Sequence, residues 1–417
     1  MHLGLDFGTS GARACVIDDD LDVRWEQRFP YANPVTQTPA DWHSALLQLL
    51  GAIPSEIAGQ LWGIAIDATS ATVLLCDAEL TPVSPALLYN DSRAQAEAGH
   101  LRQLAGSNAI VGSATSGLAK FLWLTAQPGS EGAHYLMHQA DWLTALLSGR
   151  PGISDYHNAL KTGYDVAQLR WPDWLLALPH AHLLPEVRVP GSIIGTIQPA
   201  LAARFGITPI CCIHAGTTDS TAAFMASGIS ETGAGLTSLG TTLVLKQLSD
   251  TRIEAPEYGI YSHRLGERWL VGGASNAGAG VLQQFFDDKQ LAKLSQDINP
   301  AADSPLDYYP LPAPGERFPH ADPQLAPRMA PRPKDDAAFL HGLLQGLSRI
   351  ESAGYERLAE LGAPALKRVV STGGGAKNPV WQQLRQRCLG MPVSMADHSE
   401  AAYGTALLAA RGVESKH

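Results

Sequence analysis

Leu3-Gly4-Leu5-Asp6-Phe7-Gly8-Thr9-Ser10-Gly11-Ala12-Arg13 opens the chain on an apolar run that ends in a carboxylate. Two glycines and two hydroxyl residues follow, and Ala14-Cys15-Val16-Ile17 starts a second apolar run. The pattern predicts strand, tight turn, strand, with Gly8 and Gly11 supplying backbone angles closed to other residues. Such a turn offers N–H groups and hydroxyls to an incoming phosphate, and Asp6 at the strand end can hold the metal that accompanies it. An ordinary hairpin with Asp6 as a turn acceptor is the alternative these residues leave open.

Roughly half the chain later, Leu236-Thr237-Ser238-Leu239-Gly240-Thr241-Thr242-Leu243-Val244-Leu245 has the same form. A repeat at that spacing predicts two related domains, each offering one hydroxylated turn to a shared cleft. Neither turn is followed by the Gly-Lys-Ser/Thr of a P-loop, and Gly278-Ala279-Gly280 lacks the third glycine of a dinucleotide fingerprint.

A chain of 417 residues can bury two sizeable cores, and 45% apolar with 17% charged residues describes an ordered globular protein. The formal net charge of −10 argues against nucleic acid or anionic membrane as partner. An anionic substrate must then be met by local N–H groups and a metal. The first apolar run lacks a basic flank and is interrupted by Asp6, and no apolar run reaches membrane-spanning length. Five cysteines without metal-ligand spacing suit a reducing cytoplasm.

Strand-like and helix-like segments alternate through the first half, as in an α/β domain. Leu61 to Ile66 read as a strand ending in Asp67-Ala68-Thr69-Ser70, and Thr72 to Cys76 as the next. Helices are expected around Ala94–Leu104, Phe121–Ala126 and Asp141–Leu147, a strand over Ile207–Ile213, and a helix over Asp219–Ser227 closed by Gly228. A change of domain is placed near residue 228. Beyond it come a strand at Arg268–Gly272, a helix at Asn276–Phe286, an aperiodic proline-rich stretch from Pro305 to Pro333, and a long helix at Ala337–Leu361. Lys367–Ser371 read as a strand, and Ser399–Ala410 as the last helix.

Two further segments carry chemistry. Thr372-Gly373-Gly374-Gly375-Ala376-Lys377-Asn378-Pro379-Val380-Trp381 lets a flat group approach a glycine backbone at a helix N-terminus. A tight strand-to-helix crossover is the structural alternative. His214-Ala215-Gly216-Thr217-Thr218-Asp219-Ser220 sets Asp219 at an expected helix start, where it is either a reactive carboxylate or a cap.

Together these segments resemble the FGGY-type carbohydrate kinases, of the actin and sugar-kinase ATPase fold, over nearly the whole chain. Asp6 to Arg13 and Gly240-Thr241-Thr242 are similar to the family's two phosphate motifs, Gly216 to Asp219 to its Gly-x-x-Asp, and Gly373 to Trp381 to its adenosine motif. Asn90-Asp91-Ser92-Arg93, Lys120 to Trp123 and Gly315-Glu316-Arg317-Phe318-Pro319 are further landmarks, with Gly117 and Ala126 departing from the usual signature. The resemblance implies two actin-like, ribonuclease-H-like α/β domains flanking a cleft. Residues 1–228, joined by the C-terminal helix 399–417, would carry the sugar site, and 229–398 the nucleotide site.

It implies ATP and Mg²⁺ as cofactors, Asp219 as the base that takes the sugar hydroxyl's proton, and Asp6 as the metal ligand. Gly8, Thr9, Ser10, Arg13, Gly240, Thr241 and Thr242 would hold phosphates, and Gly373, Gly374, Gly375, Asn378 and Trp381 adenosine. Asp6, Thr69, Ser70, Asp219 and Ser220 would face the sugar. The short chain and its Thr-Ser-Gly-Ala-Arg start resemble a pentulose subgroup, which implies D-ribulose, with D-xylulose second, in a cytoplasmic monomer or homodimer. An ATPase of the same fold without a sugar acceptor, acting as chaperone or sensor, is the reading from a different class.

Overall fold

In a computed structural model that describes residues 1–105 and 110–412, the opening run becomes β1 (His2–Phe7) and the run after the turn β2 (Gly11–Ile17). The two pair antiparallel, with Asp6 opposite Arg13. Alternation along the strand sends Leu3, Leu5 and Phe7 into a core with Trp42, Leu46 and Leu49. Gly4 and Asp6 share the other face. A Cβ on Gly4 would lie 2.0 Å from the carbonyl oxygen of Ala402, so the helix Ala401–Arg411 packs directly on the strand backbone. Neither Gly8 nor Gly11 has a left-handed φ, which corrects the reason expected for them. Gly11 is needed for space, since its Cβ would meet the Phe29 carbonyl oxygen at 2.4 Å.

Contacts divide the chain into two units, one of Met1–Ala226 with the segment from Glu400 onward, the other of Ser227–Ser399. The first unit adds β3 (Val23–Pro30), β4 (Gly63–Ala68), β5 (Val73–Cys76), β6 (Tyr135–His138), β7 (Ile153–Asp155), β8 (Glu186–Arg188), β9 (Ile193–Thr196), β10 (Cys212–His214) and β11 (Thr217–Thr218). Its main sheet runs β3-β2-β1-β4-β10-β9, with β11 beside β4. β4 is parallel to β1 and brings Asp67 into register with Asp6.

The second unit holds β12 (Ala234–Leu239), β13 (Leu243–Ser249), β14 (His263–Leu265), β15 (Arg268–Ser275), β16 (Arg368–Thr372) and β17 (Val393–Met395), in the order β14-β15-β13-β12-β16-β17. In both units the first strand pairs antiparallel with the second and parallel with a later one, β1 with β2 and β4, β12 with β13 and β16. The repeated turn is therefore one sign of a repeated sheet, the mixed α/β arrangement expected from the sequence. The helix Asp336–Glu360, capped by Asp335, buries Phe339, Leu343, Leu347 and Ile350 in the second core.

Beneath that sheet lies a buried ion pair. Arg385 donates to both carboxylate oxygens of Glu351 at 2.6 Å and to the Ser371 hydroxyl at 2.7 Å, while Thr237 donates to Glu351 at 2.6 Å. Thr237 and Ser371 are register partners on β12 and β16, so the network locks these two strands together.

Three expected elements differ. The strand placed at Ile207–Ile213 is confined to Cys212–His214, because Thr208 to Cys211 form a turn around Pro209, closed by Cys211 N–H to the Thr208 oxygen at 3.0 Å. The helix placed at Asn276–Phe286 shrinks to Ala279–Leu282, since Gly278 ahead of it is extended, with φ 164 and ψ −170. The last helix runs Ala401–Arg411, and residues 413–417 of the expected 399–417 lie outside those described. The proline-rich stretch is irregular yet anchored. Glu316 accepts from Ser275, Asn276, Tyr309 and the Arg317 N–H, and Phe318 is fully buried against Gly273. Among the described residues no helix is long and apolar enough to cross a membrane.

Candidate active site

In the first unit the ends of β1 and β4 and the start of the helix Asp219–Ala226 gather carboxylates. Asp6 is 3% exposed and Asp67 fully buried. Burial, the charge of Asp219 and that of Glu400 push the Asp6 carboxyl up to about 6, against the relief given by Asp67 and Arg13. Asp67 is raised well above the carboxylate range by burial and by its neighbour Asp6. Each acid acts on the other, and Asp67, wholly buried, is the harder of the two to ionise. The Thr405 hydroxyl donates to one Asp67 oxygen, and the other is buried without a hydrogen-bond partner. Gly216 lets the backbone ahead of β11 pass close to β4, because a Cβ there would sit 2.2 Å from the Ile66 carbonyl oxygen. Asp219 follows β11 and accepts its neighbour Ser220's N–H at 2.6 Å.

Cationic relief here is slight. Arg13 lies 3.4 Å from Asp6 and 3.2 Å from Glu400, shared between them. The turn itself is tight, Gly8 N–H meeting the Gly11 oxygen at 3.1 Å, and it leaves Thr9 and Ser10 exposed. One Asp6 oxygen is buried without a hydrogen-bond partner. A divalent cation fits that donor set. Among the described residues no three His, Cys, Asp or Glu side chains form a ready cage, and Mg²⁺ characteristically takes one or two carboxylates and completes its shell with water and phosphate oxygens.

The sequence-expected sugar contacts fall differently. Thr69 is turned inward, hydrogen-bonded to Thr72 at 2.6 Å and to Gln139 at 2.9 Å. Ser70, at the tip of the same turn, has a buried hydroxyl oxygen with no partner. Ser220 is exposed beside Asp219. Sequence reasoning missed Asp67, Glu400 and Tyr31. Asp67 carried a signal, a second apolar run ending in a carboxylate. Tyr31 carried none. Its phenol is buried close enough to Asp6 for that charge to raise it further above its ordinary range.

In the second unit the matching strand ends surround a cavity of about 750 Å³, within the span of small-molecule sites. Gly240, Thr241, Gly374, Gly375, Asn378 and Trp381 contribute to its wall. Gly373 has φ +84 and stands so near Leu239 that a Cβ would fall 2.8 Å from its backbone. Gly375 lies over the Trp381 ring, at 2.4 Å for a Cβ, whereas Gly374 has open space. The Asn378 side chain is engaged on both sides: its oxygen caps the helix Pro379–Leu389 through Val380 and Trp381, and its amide donates to Ser295 at 2.8 Å.

The Gly278–Gly280 segment, which fits no dinucleotide pattern, braces the second turn. Ala279 N–H bonds the Gly240 oxygen at 2.9 Å and Gly280 N–H the Thr241 oxygen at 3.2 Å. A Cβ on Gly278 would meet Thr241 at 2.4 Å, which explains the small residues there.

Comparison with known proteins agrees with this division. Residues 1–226 match the profile of the FGGY family of carbohydrate kinases, N-terminal domain, and residues 235–413 that of its C-terminal domain. A xylulose kinase of Staphylococcus xylosus is 23% identical, over 98% of this chain and 90% of its own. One of Klebsiella pneumoniae is 27% identical, over 78% of this chain and 71% of its own. Among solved structures, a xylulose kinase from Rhodospirillum rubrum superposes with a TM-score of 0.82 at 21% identity, covering all of this chain and 90% of that one. A Plasmodium falciparum glycerol kinase with ADP gives 0.84 at 16% identity, over 98% and 89%. At those identities the structures speak to the fold.

Proposed function

Because this chain belongs to the FGGY family of carbohydrate kinases, we propose that it transfers the γ-phosphate of ATP to the terminal hydroxyl of a ketopentose, D-ribulose before D-xylulose. The meeting of Asp6, Asp67 and Asp219 around paired strand ends is the observation that carries this reading. Phosphoryl transfer asks the protein for positioning and charge stabilisation, and for little covalent chemistry of its own. Asp219 accepts the proton of the attacking hydroxyl. The hydroxyl oxygen bonds to the γ-phosphorus as the bond to the ADP oxygen breaks. Asp6 would hold Mg²⁺, which would supply charge neutralisation for the phosphates that this acidic cluster would otherwise repel.

The remaining residues divide by unit. Thr9, Ser10 and Arg13, on the first glycine turn and β2, meet the phosphates, as do Gly240, Thr241 and Thr242 in the second unit. Gly373, Gly374, Gly375 and Trp381 receive adenosine, with Asn378 holding the wall by its cap. Ser70, with its unpartnered hydroxyl, and Ser220 face the sugar, while Thr69 keeps their turn in shape.

Small hydroxyl side chains at the sugar turn favour D-ribulose; the relatives named xylulose kinase favour the second sugar. The two differ at one carbon. Leaving one buried polar group unpaired costs about 1–3 kcal/mol, enough for roughly 5- to 150-fold discrimination. ADP release measured with D-ribulose, D-xylulose, L-ribulose and glycerol tests the reading through the kcat/KM ranking. D-ribulose should lead. D-xylulose in first place reverses the order within the class, and glycerol or a hexose in first place overturns the pentulose assignment.

A further inference from the structure

Lys120 is completely buried, an unusual place for a group whose ammonium form is so costly to desolvate. It sits on the helix Gly117–Thr125, capped by Ser116, and its amine ends on two backbone carbonyls. Nζ donates to the Ala71 oxygen at 2.9 Å and to the Leu88 oxygen at 2.6 Å. Among the described residues no carboxylate pairs with it, and the nearby Asp91 is itself held by Arg93 at 2.8 Å. Burial brings the amine down to about 7, with Lys161 lowering it further and Asp91 acting the other way. Near that value a neutral amine with two N–H donors is fully matched by two carbonyls.

The acceptors are informative. Ala71 directly follows Ser70 and takes the left-handed φ of +64, a strained position for a residue with a Cβ. Leu88 closes a second turn, its oxygen also accepting the Asp91 N–H at 2.9 Å. β5 leaves the first turn and comes back to this second one, with Val73 and Leu87 exchanging hydrogen bonds of 3.1 and 2.8 Å. The two turns are thus joined by a strand at one end and by a single buried amine at the other. A methionine of similar volume would pack the same space without donors. The retained amine therefore points to position rather than packing.

We propose that Lys120 is a positioning residue for the acceptor sugar: it clamps the Thr69–Thr72 turn to the Leu88–Asp91 turn and so fixes where the Ser70 hydroxyl stands. This rests on the reading that the Ser70 turn faces the sugar. Removing the clamp disturbs acceptor binding and leaves the nucleotide cavity of the second unit as it was.

The test compares K120M, which keeps the stem and removes the donors, with wild type and with K120Q, which keeps a donor. The expected result is a rise of 10-fold or more in the KM for the best pentulose, an ATP KM within twofold, and partial recovery in K120Q. Hydrogen exchange of residues 69–92, in the variant against wild type, should show faster opening of these turns alone. If K120M does not fold, K120Q takes its place in the same comparison. A pentulose KM and kcat within twofold of wild type, or an equal rise in both substrates' KM, overturns the proposal. Wild-type enzyme that phosphorylates no ketopentose would instead overturn the function on which it rests.

Discussion

The two units use the same sheet and turn it to opposite electrostatic ends. Where β1 and β4 end, the register pair is Asp6 and Asp67; at the equivalent place on β12 and β16 it is Ser238 and Thr372. The first unit thus concentrates carboxylate at its strand ends, with Arg13 shared between Asp6 and Glu400. The second keeps the buried carboxylate of Glu351 beneath the sheet, neutralised by Arg385, and places glycine and open volume where β12 and β16 end. Under the proposed function, one scaffold would serve proton and metal chemistry in the first unit and leave room for a ligand in the second. The difference lies in a few residues beside the turns, and each can be changed.

The largest effect is expected at Asp219. Asp219→Ala should lower kcat by about 10²–10⁴, the usual scale for removing a general base, while ATP affinity stays within a few-fold. Steady-state kinetics beside calorimetric ATP binding checks it. A fold-competent variant that retains most of its turnover would move the base elsewhere in the acidic cluster.

Arg385 tests the other side. Removing one partner of a buried ion pair leaves an uncompensated charge and costs about 3–5 kcal/mol, whereas replacing both with apolar residues is often neutral. Arg385→Met should therefore unfold at markedly lower denaturant, and Arg385→Met with Glu351→Leu should recover much of the loss. A single variant as stable as wild type would show that the strand register depends on something else.

Asp6 should show stability and function opposed. Its pKa of about 6 in the fold lies above the ordinary carboxylate value, so the folded state binds the proton more tightly than the unfolded chain. Stability contributed by the protonated form is full below about pH 4 and is lost as pH rises to about 6. Asp6→Asn should consequently melt higher than wild type at about pH 8, with the advantage gone at about pH 4. The same variant should lose Mg²⁺-dependent turnover, and wild-type turnover should rise with pH through about 6. Sugar binding that fell while the Mg²⁺ requirement held would assign Asp6 to the acceptor instead.

Local signals made much of this legible. The two Gly-Thr turns, the strands around them and the capped helix at Asp336 follow from short-range pattern, and each formed close to where it was read. Long-range pairings were not legible. Asp67 became a partner of Asp6 through a parallel register that only the folded sheet sets. Thr69 was read as facing a sugar, yet a glutamine seventy residues away holds its hydroxyl inward. The helix expected from Asn276 starts only at Ala279, because Gly278 is extended where it packs against Thr241 of the second turn. Glycine was read as a conformational residue, and at Gly11 and Gly375 it proved to be a matter of space.

That last distinction yields the finest test, because two adjacent glycines on the cavity wall have opposite surroundings. A methyl on Gly375 would fall 2.4 Å from the Trp381 ring and 2.9 Å from Leu239, whereas one on Gly374 meets nothing within 4 Å. Overpacking of this kind usually costs about 1–3 kcal/mol, so Gly375→Ala should lower the melting temperature and displace the indole. Trp381 is nearly fully buried, and its fluorescence should report that displacement without any ligand. Gly374→Ala should leave stability within about 0.5 kcal/mol, as an exposed substitution does. Its effect should be confined to nucleotide affinity, because the added methyl occupies the mouth of the cavity that ATP is proposed to fill. Titration of ADP into both variants separates the cases. Equal melting losses would mean that the backbone conformation of the triplet, and not the space above it, is what glycine supplies here.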